Sequence, residues 1–447
     1  MSLGDTILRM MPASVAARVR SIPLGNRLAG SAFWNLVGTV VARAMTFPVG
    51  ILLARQMGRE GYGELGIIYG TVELFGVFAG FGLSLTAMKY VAEFREKDPA
   101  RAGRLMALSM VVTAMSAGVF ALALFLFAPQ LAAGVLAAPH LAGPLRIAAL
   151  VLFLNVVDNV QGGSLSGFEA FKVLARLRLI KGLLDLPLML GGYFLGGLTG
   201  VLWGALVSRA IGYVINRLAL RAEARRVGVP FSFRNCTEEL SVVWSFSLPA
   251  LVSGALVSPV NWICAAMLVN QPLGYREMGA YSAASQWYNL IIFVPLAIGG
   301  GIIPILSDRL GNQDVQVSRD VLRFMLKLNA AIAIPAVIGL SALSPFIMAM
   351  YGRGYREAWP TLIAVVLTGA IFAILSPVGA VIAAMGRMWL GCFMNLGWAV
   401  VFIGTTTLLV RWGSLGLASA RLIAYCVHAV WTFYFAYKLL SQARETT

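Results

Sequence analysis

Charge is scarce in this chain. Only 12% of its 447 residues are Asp, Glu, Lys or Arg, whereas 59% are hydrophobic. A soluble domain carries about 25% charged residues, so a soluble globular protein is excluded. No long polar gap interrupts the apolar character between residues 28 and 440, which also excludes a soluble domain on a single anchor. There are 2 histidines and 4 cysteines. Cys264, Cys392 and Cys426 lie in apolar stretches and Cys236 in a basic loop, with no CxxC pair and no Cys/His ligand spacing. Neither a disulfide framework nor a metal site is indicated. Residues 1–27 lack an unbroken apolar core, because Arg9, Arg18, Arg20 and Arg27 interrupt it, so no cleavable signal is expected. Thr6–Val19 reads either as a short interfacial helix or as a frayed basic tail.

What is present is apolar sequence in span-sized pieces. A membrane helix needs about 20 apolar residues, and the chain divides into about twelve such pieces. They are placed at 28–54, 61–88, 104–128, 142–166, 170–194, 198–222, 238–269, 277–305, 322–349, 358–384, 388–410 and 415–438. The expected fold is an all-α polytopic membrane protein with both termini in the cytoplasm. Orientation comes from Lys and Arg, which concentrate in cytoplasmic loops. With the N-terminus inside, clusters such as Lys89, Arg95, Lys97, Arg101 and Arg104, or Arg217, Arg221, Arg225 and Arg226, all fall inside. The outside loops hold only Arg55, Arg59, Arg276, Arg353, Arg356 and Arg411. This asymmetry accounts for most of the net charge of +16 without nucleic acid as a partner.

The outside loops are short. The longest, 129–141, reads PQLAAGVLAAPHL and contains no carboxylate. A glycan-assembling enzyme needs positioned acids or bases at the membrane surface, so this pattern argues for a transporter. The two halves also echo one another. Glu64-Leu65-Gly66 matches Glu277-Met278-Gly279, Pro48 matches Pro259, and Gly200-Val201 matches Gly416-Leu417, all at an offset near half the chain. Six spans per half makes this a parallel repeat, which suits a rocking transporter with its site between two lobes. The expected division is a basic segment 1–27, an N-lobe 28–222, a linker 223–237, a C-lobe 238–440 and a tail 441–447.

Several spans carry polar residues at helical spacing. Span one has Asn35, Thr39 and Arg43 on one face; span two has Glu73 within a stripe of Gly66, Gly70, Gly76 and Gly80. Span four has Asn155, Asp158 and Asn159, span five Asp185, span six Arg209, and span twelve Arg421, Tyr425 and His428. Spans seven and eight add Asn261, Gln286 and Asn289. A charge at the bilayer centre costs at least about 2.5–3.5 kcal/mol, so these groups face a partner or a wet cavity. Arg43 reads as a phosphate-binding cation or as the structural partner of Glu73, and Arg209 as a second phosphate-binding cation. Asn35, Thr39, Asn261, Gln286 and Asn289 are candidate cavity lining. Glu73, Asp158 and Asp185 read as proton- or sodium-coupling groups or as members of buried ion pairs, for example Asp185 with Lys181 one turn away. The glycine stripe reads first as close helix packing, with a cavity wall as the lesser alternative.

The stretch MGREGYGELGIIYGTVELFGVFAGFGLSLTAMKYVAE (57–93), SFSLPALVSGALVS (245–258) and GYREMGAYSAASQWYNLIIFVPLAIGGGIIPILSDRLG (274–311) together resemble the Wzx-type polysaccharide repeat-unit flippases of the multidrug/oligosaccharidyl-lipid/polysaccharide (MOP) superfamily. The resemblance implies a MOP/MATE-like fold of two pseudo-symmetric six-helix lobes in the bacterial inner membrane. It implies alternating-access transport of an undecaprenyl-pyrophosphate-linked glycan for O-antigen or other surface polysaccharide synthesis. Membrane lipid and polysaccharide polymerase or assembly proteins are the implied partners. No cofactor is implied beyond H+ or Na+ coupling, and a monomer is the simplest state. A multidrug or cation exporter of the same superfamily and a lipid II-type flippase are the alternatives, although lipid II flippases usually carry two further helices. Many relatives have an Asp near the end of span seven, where Cys264-Ala265 stand here.

Overall fold

The computed structural model describes residues 25–231, 233, 236–248, 251, 255–299, 315–384 and 388–442. The basic segment up to residue 24 and the tail from 443 lie outside the described residues, as do the side chains of Asn35, Thr39 and Arg43. The fold is all-helical. Among the described residues the α-helices are, in chain order, α1 (Gly25–Gly80), α2 (Leu83–Phe94), α3 (Pro99–Gln130), α4 (Ala142–Gly167), α5 (Phe171–Val227) and α6 (Val257–Val269). They continue as α7 (Gly274–Gly299), α8 (Val315–Ala342), α9 (Ser344–Met350), α10 (Trp359–Ala384), α11 (Met388–Leu409) and α12 (Gly413–Gln442). Among the described residues six helical stretches are long and apolar enough to cross a membrane, or seven when the bent pair α1–α2 is taken as one.

Glycine, not proline, breaks the long helices. Pro48 stays inside α1, but Gly58 (φ 70°, ψ −178°) leaves the helical region and divides α1 into two arms. α5 turns at Gly196 and Gly197 (φ 56°, ψ −138°) without a polar loop. Beside that turn Gly192 and Gly200 face each other so closely that a Cβ on either would collide with the other's carbonyl oxygen. The backbones of the two arms therefore touch where only hydrogen fits. A further break, unforeseen in span 61–88, bends the chain by 45° between α1 and α2. Phe81 (φ 48°) and Gly82 (φ 67°) are both left-handed there, a region that glycine enters freely and phenylalanine does not. Span 238–269 differs as well. Among its described residues it has a 3-10 turn at Cys236–Glu239, a π turn at Val243–Ser247 and a regular helix at Val257–Val269.

The chain divides into two compact units. The first comprises residues up to Val49, then Val72–Pro129 and His140–Val252; the second comprises Gly50–Thr71, Gln130–Pro139 and Ser253 onward. Within the first unit α2 packs on α4 and α4 on α5. Its core gathers Leu83, Ala87, Val91, Met106, Val160, Leu165, Leu174 and Leu220. Arg101 and Arg104 meet the buried Glu239 (3.1 and 3.2 Å), tying the start of α3 to the 3-10 turn. Within the second unit α7 packs on α10 and α12, α8 on α10, and α11 on α6 and α12. The segment 50–71, which contains the Gly58 break, is part of this second unit.

Candidate functional site

In the first unit the packing of α4 against both arms of α5 brings four intramembrane charges together. Lys181 Nζ lies 2.6 Å from Asp158 Oδ2, and Asn216 Nδ2 donates to Asp158 Oδ1 at 2.6 Å. Ser208 Oγ donates to Asp185 Oδ1 at 2.5 Å, and Arg209 Nη2 approaches Asp185 Oδ2 at 3.5 Å. Lys181 is also within electrostatic range of Asp185 and Arg209. Gly212 leaves the space that the Lys181 stem fills. The cluster is neutral, with two carboxylates against two cations, and each charge is only partly exposed. The one-turn spacing suggested a Lys181–Asp185 pair; the closer partner is Asp158, supplied by the neighbouring helix. Glu73, on the second arm of α1, is exposed.

The α1–α2 break opens a cavity of about 260 Å³ in the first unit, lined by Gly76, Gly80, Gly82, Ser84, Val156 and Asn159 among others. Ser84 Oγ donates to the Asn159 carbonyl at 2.9 Å across it. The glycine stripe thus serves two purposes. Gly66 is a packing position, where a Cβ would collide with the Ser282 hydroxyl, as is Gly63 just before the stripe, where it would collide with the Tyr275 carbonyl. Gly76 and Gly80 form cavity wall.

In the second unit, three polar groups stand out. The first joins the Gly58 break to α7 and α12. Arg59 Nη2 donates to Glu277 Oε1 at 2.7 Å, with further bonds from Arg59 to the carbonyls of Arg276 (3.2 Å) and Gly354 (3.1 Å). Glu277 Oε2 accepts from the Ser414 amide (2.9 Å) and hydroxyl (2.6 Å). Tyr355 Oη donates to the Gly58 carbonyl at 3.0 Å. The second holds Gln286, whose amide donates to Tyr62 Oη and accepts from Tyr351 Oη at 3.1 Å, while Trp287 Nε1 donates to Tyr351 Oη at 3.1 Å. Asn261 and Asn289 each donate to a carbonyl one turn back on their own helix, Val257 at 2.9 Å and Ser285 at 3.3 Å.

The third is Arg421 on α12. Nη1 donates to Tyr281 Oη at 3.2 Å, and its guanidinium carbon lies 4.3 Å from the Tyr288 ring centre and 5.9 Å from that of Tyr425. Trp398 and Phe372 pack on Tyr425 at 5.5 and 5.9 Å.

Of the three acids expected to couple or to pair, Asp158 and Asp185 share one network, whereas Arg59, Glu277, Ser414 and Arg421 had no role assigned from the sequence. Glu277 carried one signal, its match to Glu64 in the repeat; Arg421 carried another, a cation inside an apolar span.

A family model described as a polysaccharide biosynthesis protein matches residues 28–309, and one described as MatE matches 249–412. The EPS I polysaccharide export inner membrane protein EpsE of Ralstonia nicotianae is 26% identical over 404 residues, covering 88% of this chain and 89% of that protein. A putative O-antigen transporter of Shigella flexneri is 22% identical over 417 residues, covering 90% and 96%. The inward-facing structure of a multidrug resistance MATE family transporter of the MOP superfamily aligns with a TM-score of 0.74 and 16% identity over 92% of this chain and 99% of that one. At that identity the likeness establishes the fold.

Proposed function

Because the chain belongs to the polysaccharide biosynthesis protein family, we propose that it is a flippase for undecaprenyl-pyrophosphate-linked oligosaccharide repeat units, working by alternating access in surface polysaccharide synthesis. It is a multi-pass protein of the inner membrane and a transporter, not an enzyme. The observation that carries the substrate is the near full-length similarity to proteins named for polysaccharide export and O-antigen transport. In this reading twelve spans form two six-helix lobes, 28–222 and 238–440, joined by a cytoplasmic linker at 223–237, with both termini inside.

The chemistry of the substrate fits the residues. A pyrophosphate-linked sugar is anionic and hydroxylated, so it requires cations and amide or hydroxyl partners in a wet cavity. Arg43 and Arg209 are the proposed phosphate cations, and Asn35, Thr39, Asn261, Gln286 and Asn289 the proposed lining. Arginine suits the role because its planar fork donates two parallel bonds to a phosphate. Asp158 and Asp185 are the proposed coupling groups, with Glu73. Each Asp is held by a cation and a neutral donor, so protonation of the carboxylate would loosen both contacts at once. The proton or sodium gradient would thereby act on the packing of α4 and α5. No cofactor takes part, the working unit is a monomer, and polymerase or assembly proteins are the proposed partners.

The MatE match over 249–412 favours a second reading, export of drugs or organic cations. Purified protein in liposomes separates the two. Protein-dependent exposure of undecaprenyl-pyrophosphate oligosaccharide to an impermeant sugar-modifying enzyme is expected, lost in Arg43→Ala. Uptake of a cationic dye with no glycan exposure would replace the flippase with an exporter.

A further inference from the structure

The two basic residues of the α5 cluster are matched by carboxylates. Arg421 is not. Its surroundings among the described residues are phenolic: Tyr281 accepts from Nη1, and Tyr288 and Tyr425 present ring faces. All three tyrosines are buried, at 8, 8 and 7% exposure, and among the described residues no carboxylate pairs with the guanidinium. Nε is buried without a hydrogen-bond partner among the described residues, whereas the residue as a whole is only partly buried. Cys264, fully buried on α6, lies within electrostatic range of Arg421.

A guanidinium inside a membrane protein keeps its charge at any physiological pH. Ring faces attract it through their quadrupoles, but they do not neutralise it. A cation held in a fixed orientation by one hydroxyl and two rings, with no counter-ion among the described residues, is prepared for an anion from outside. Its donors face a planar or tetrahedral oxyanion well, because the fork matches two phosphate oxygens. The aromatic wall fixes the guanidinium plane in advance, so little rotamer freedom is lost on binding.

We propose that Arg421, in its tyrosine cage, is a phosphate-ester site in the second unit that holds the diphosphate of the lipid-linked substrate. The identity of the ligand rests on the flippase reading; the anion site itself rests on the cage. Two sources of phosphate ester are available to a membrane protein, the carrier diphosphate and anionic phospholipid headgroups, and the site is assigned to the first.

The test is binding of undecaprenyl diphosphate to the full-length protein in detergent, read by tryptophan fluorescence, with undecaprenol and phosphatidylglycerol as comparison ligands. The same variants are also scored for glycan exposure in liposomes. Wild type is expected to prefer the diphosphate to undecaprenol. Arg421→Gln should weaken binding by about tenfold or more, the effect of losing a charge-assisted bond pair. Arg421→Lys should retain part of the affinity. Two variants keep the proposal testable should Arg421→Gln fail to fold. Tyr281→Phe, which frees the guanidinium to rotate, should weaken binding severalfold. Cys264→Asp, which offers an internal counter-ion, should also weaken it. Unchanged affinity in folded Arg421→Gln or in both of the other variants would overturn the site while leaving the flippase reading intact if glycan exposure persists. Equal displacement by phosphatidylglycerol would overturn the assignment to the substrate. Wild type that neither prefers the diphosphate nor exposes glycan would overturn site and flippase together.

Discussion

Asp158 shows how far single residues can be read. Its place in an apolar span marks it as a paired or functional acid, because an isolated charge there is too costly. The partner was not legible. Helical spacing sees only residues on the same helix, and it favoured Lys181 with Asp185; packing of α4 on α5 instead puts Lys181 Nζ 2.6 Å from Asp158. Removing one member of such a pair leaves the other charge uncompensated. Asp158→Asn is therefore expected to lower stability by about 1–3 kcal/mol, below the full cost of a completely buried pair because both groups are partly exposed. Adding Lys181→Met should recover much of the loss, and thermal unfolding in detergent measures both. Glu73 belongs to a different test. If it couples transport to an ion gradient, Glu73→Gln changes the dependence of glycan exposure on an imposed proton or sodium gradient, whereas an unaltered dependence leaves it a structural role.

Helices were legible where glycine punctuates them and not where glycine merely lies within them. Gly58 and Gly196-Gly197 end spans in sequence and in structure. Gly82 was hidden inside a continuous apolar run, and its left-handed backbone shows only in the fold. The same ambiguity covers the stripe of α1, since a missing side chain can admit a neighbouring backbone or leave a void. Gly63, just before the stripe, and Gly279 on α7 show the first case: a Cβ on Gly63 would strike the Tyr275 carbonyl, and one on Gly279 the Arg59 carbonyl. Backbone cannot yield as a flexible side chain can. Gly63→Ala and Gly279→Ala should each cost about 1–3 kcal/mol or more through overpacking. Gly118→Ala in α3, where nothing lies within 4 Å, should be neutral or gain up to about 1 kcal/mol from helix propensity. Unfolding midpoints of the three variants compare the two situations directly.

For the whole molecule, the charge bias of the loops and the family match led to the same class of protein, while the division into compact units was not foreseeable from the repeat. The repeat cuts the chain near its middle; the second unit also takes Gly50–Thr71 and Gln130–Pro139. Bonds made through the Arg59 guanidinium and the carbonyls of Gly58, Val135 and Leu136 hold those two stretches within it, and no sequence pattern announces a bond to a carbonyl. The proposed orientation has its own check. In a background without the four native cysteines, an impermeant thiol reagent should label a cysteine placed at Arg276 or Arg411 in intact cells and spare one at Arg221 or Arg226; the reverse pattern would invert the topology. The near-loopless α5 also bears on how the protein is made. Its first arm carries Lys181 and Asp185 and its second Ser208 and Arg209, joined by two non-helical glycines. If the first arm entered the bilayer alone, its charges would each cost about 2.5–3.5 kcal/mol. With the second arm following directly, Asp185 meets Ser208 and Arg209 within one hairpin. The translocon is thus presented with a pair of arms that lowers its own insertion cost, and lengthening the Gly196-Gly197 turn with polar residues should reduce the fraction of chains that integrate during synthesis.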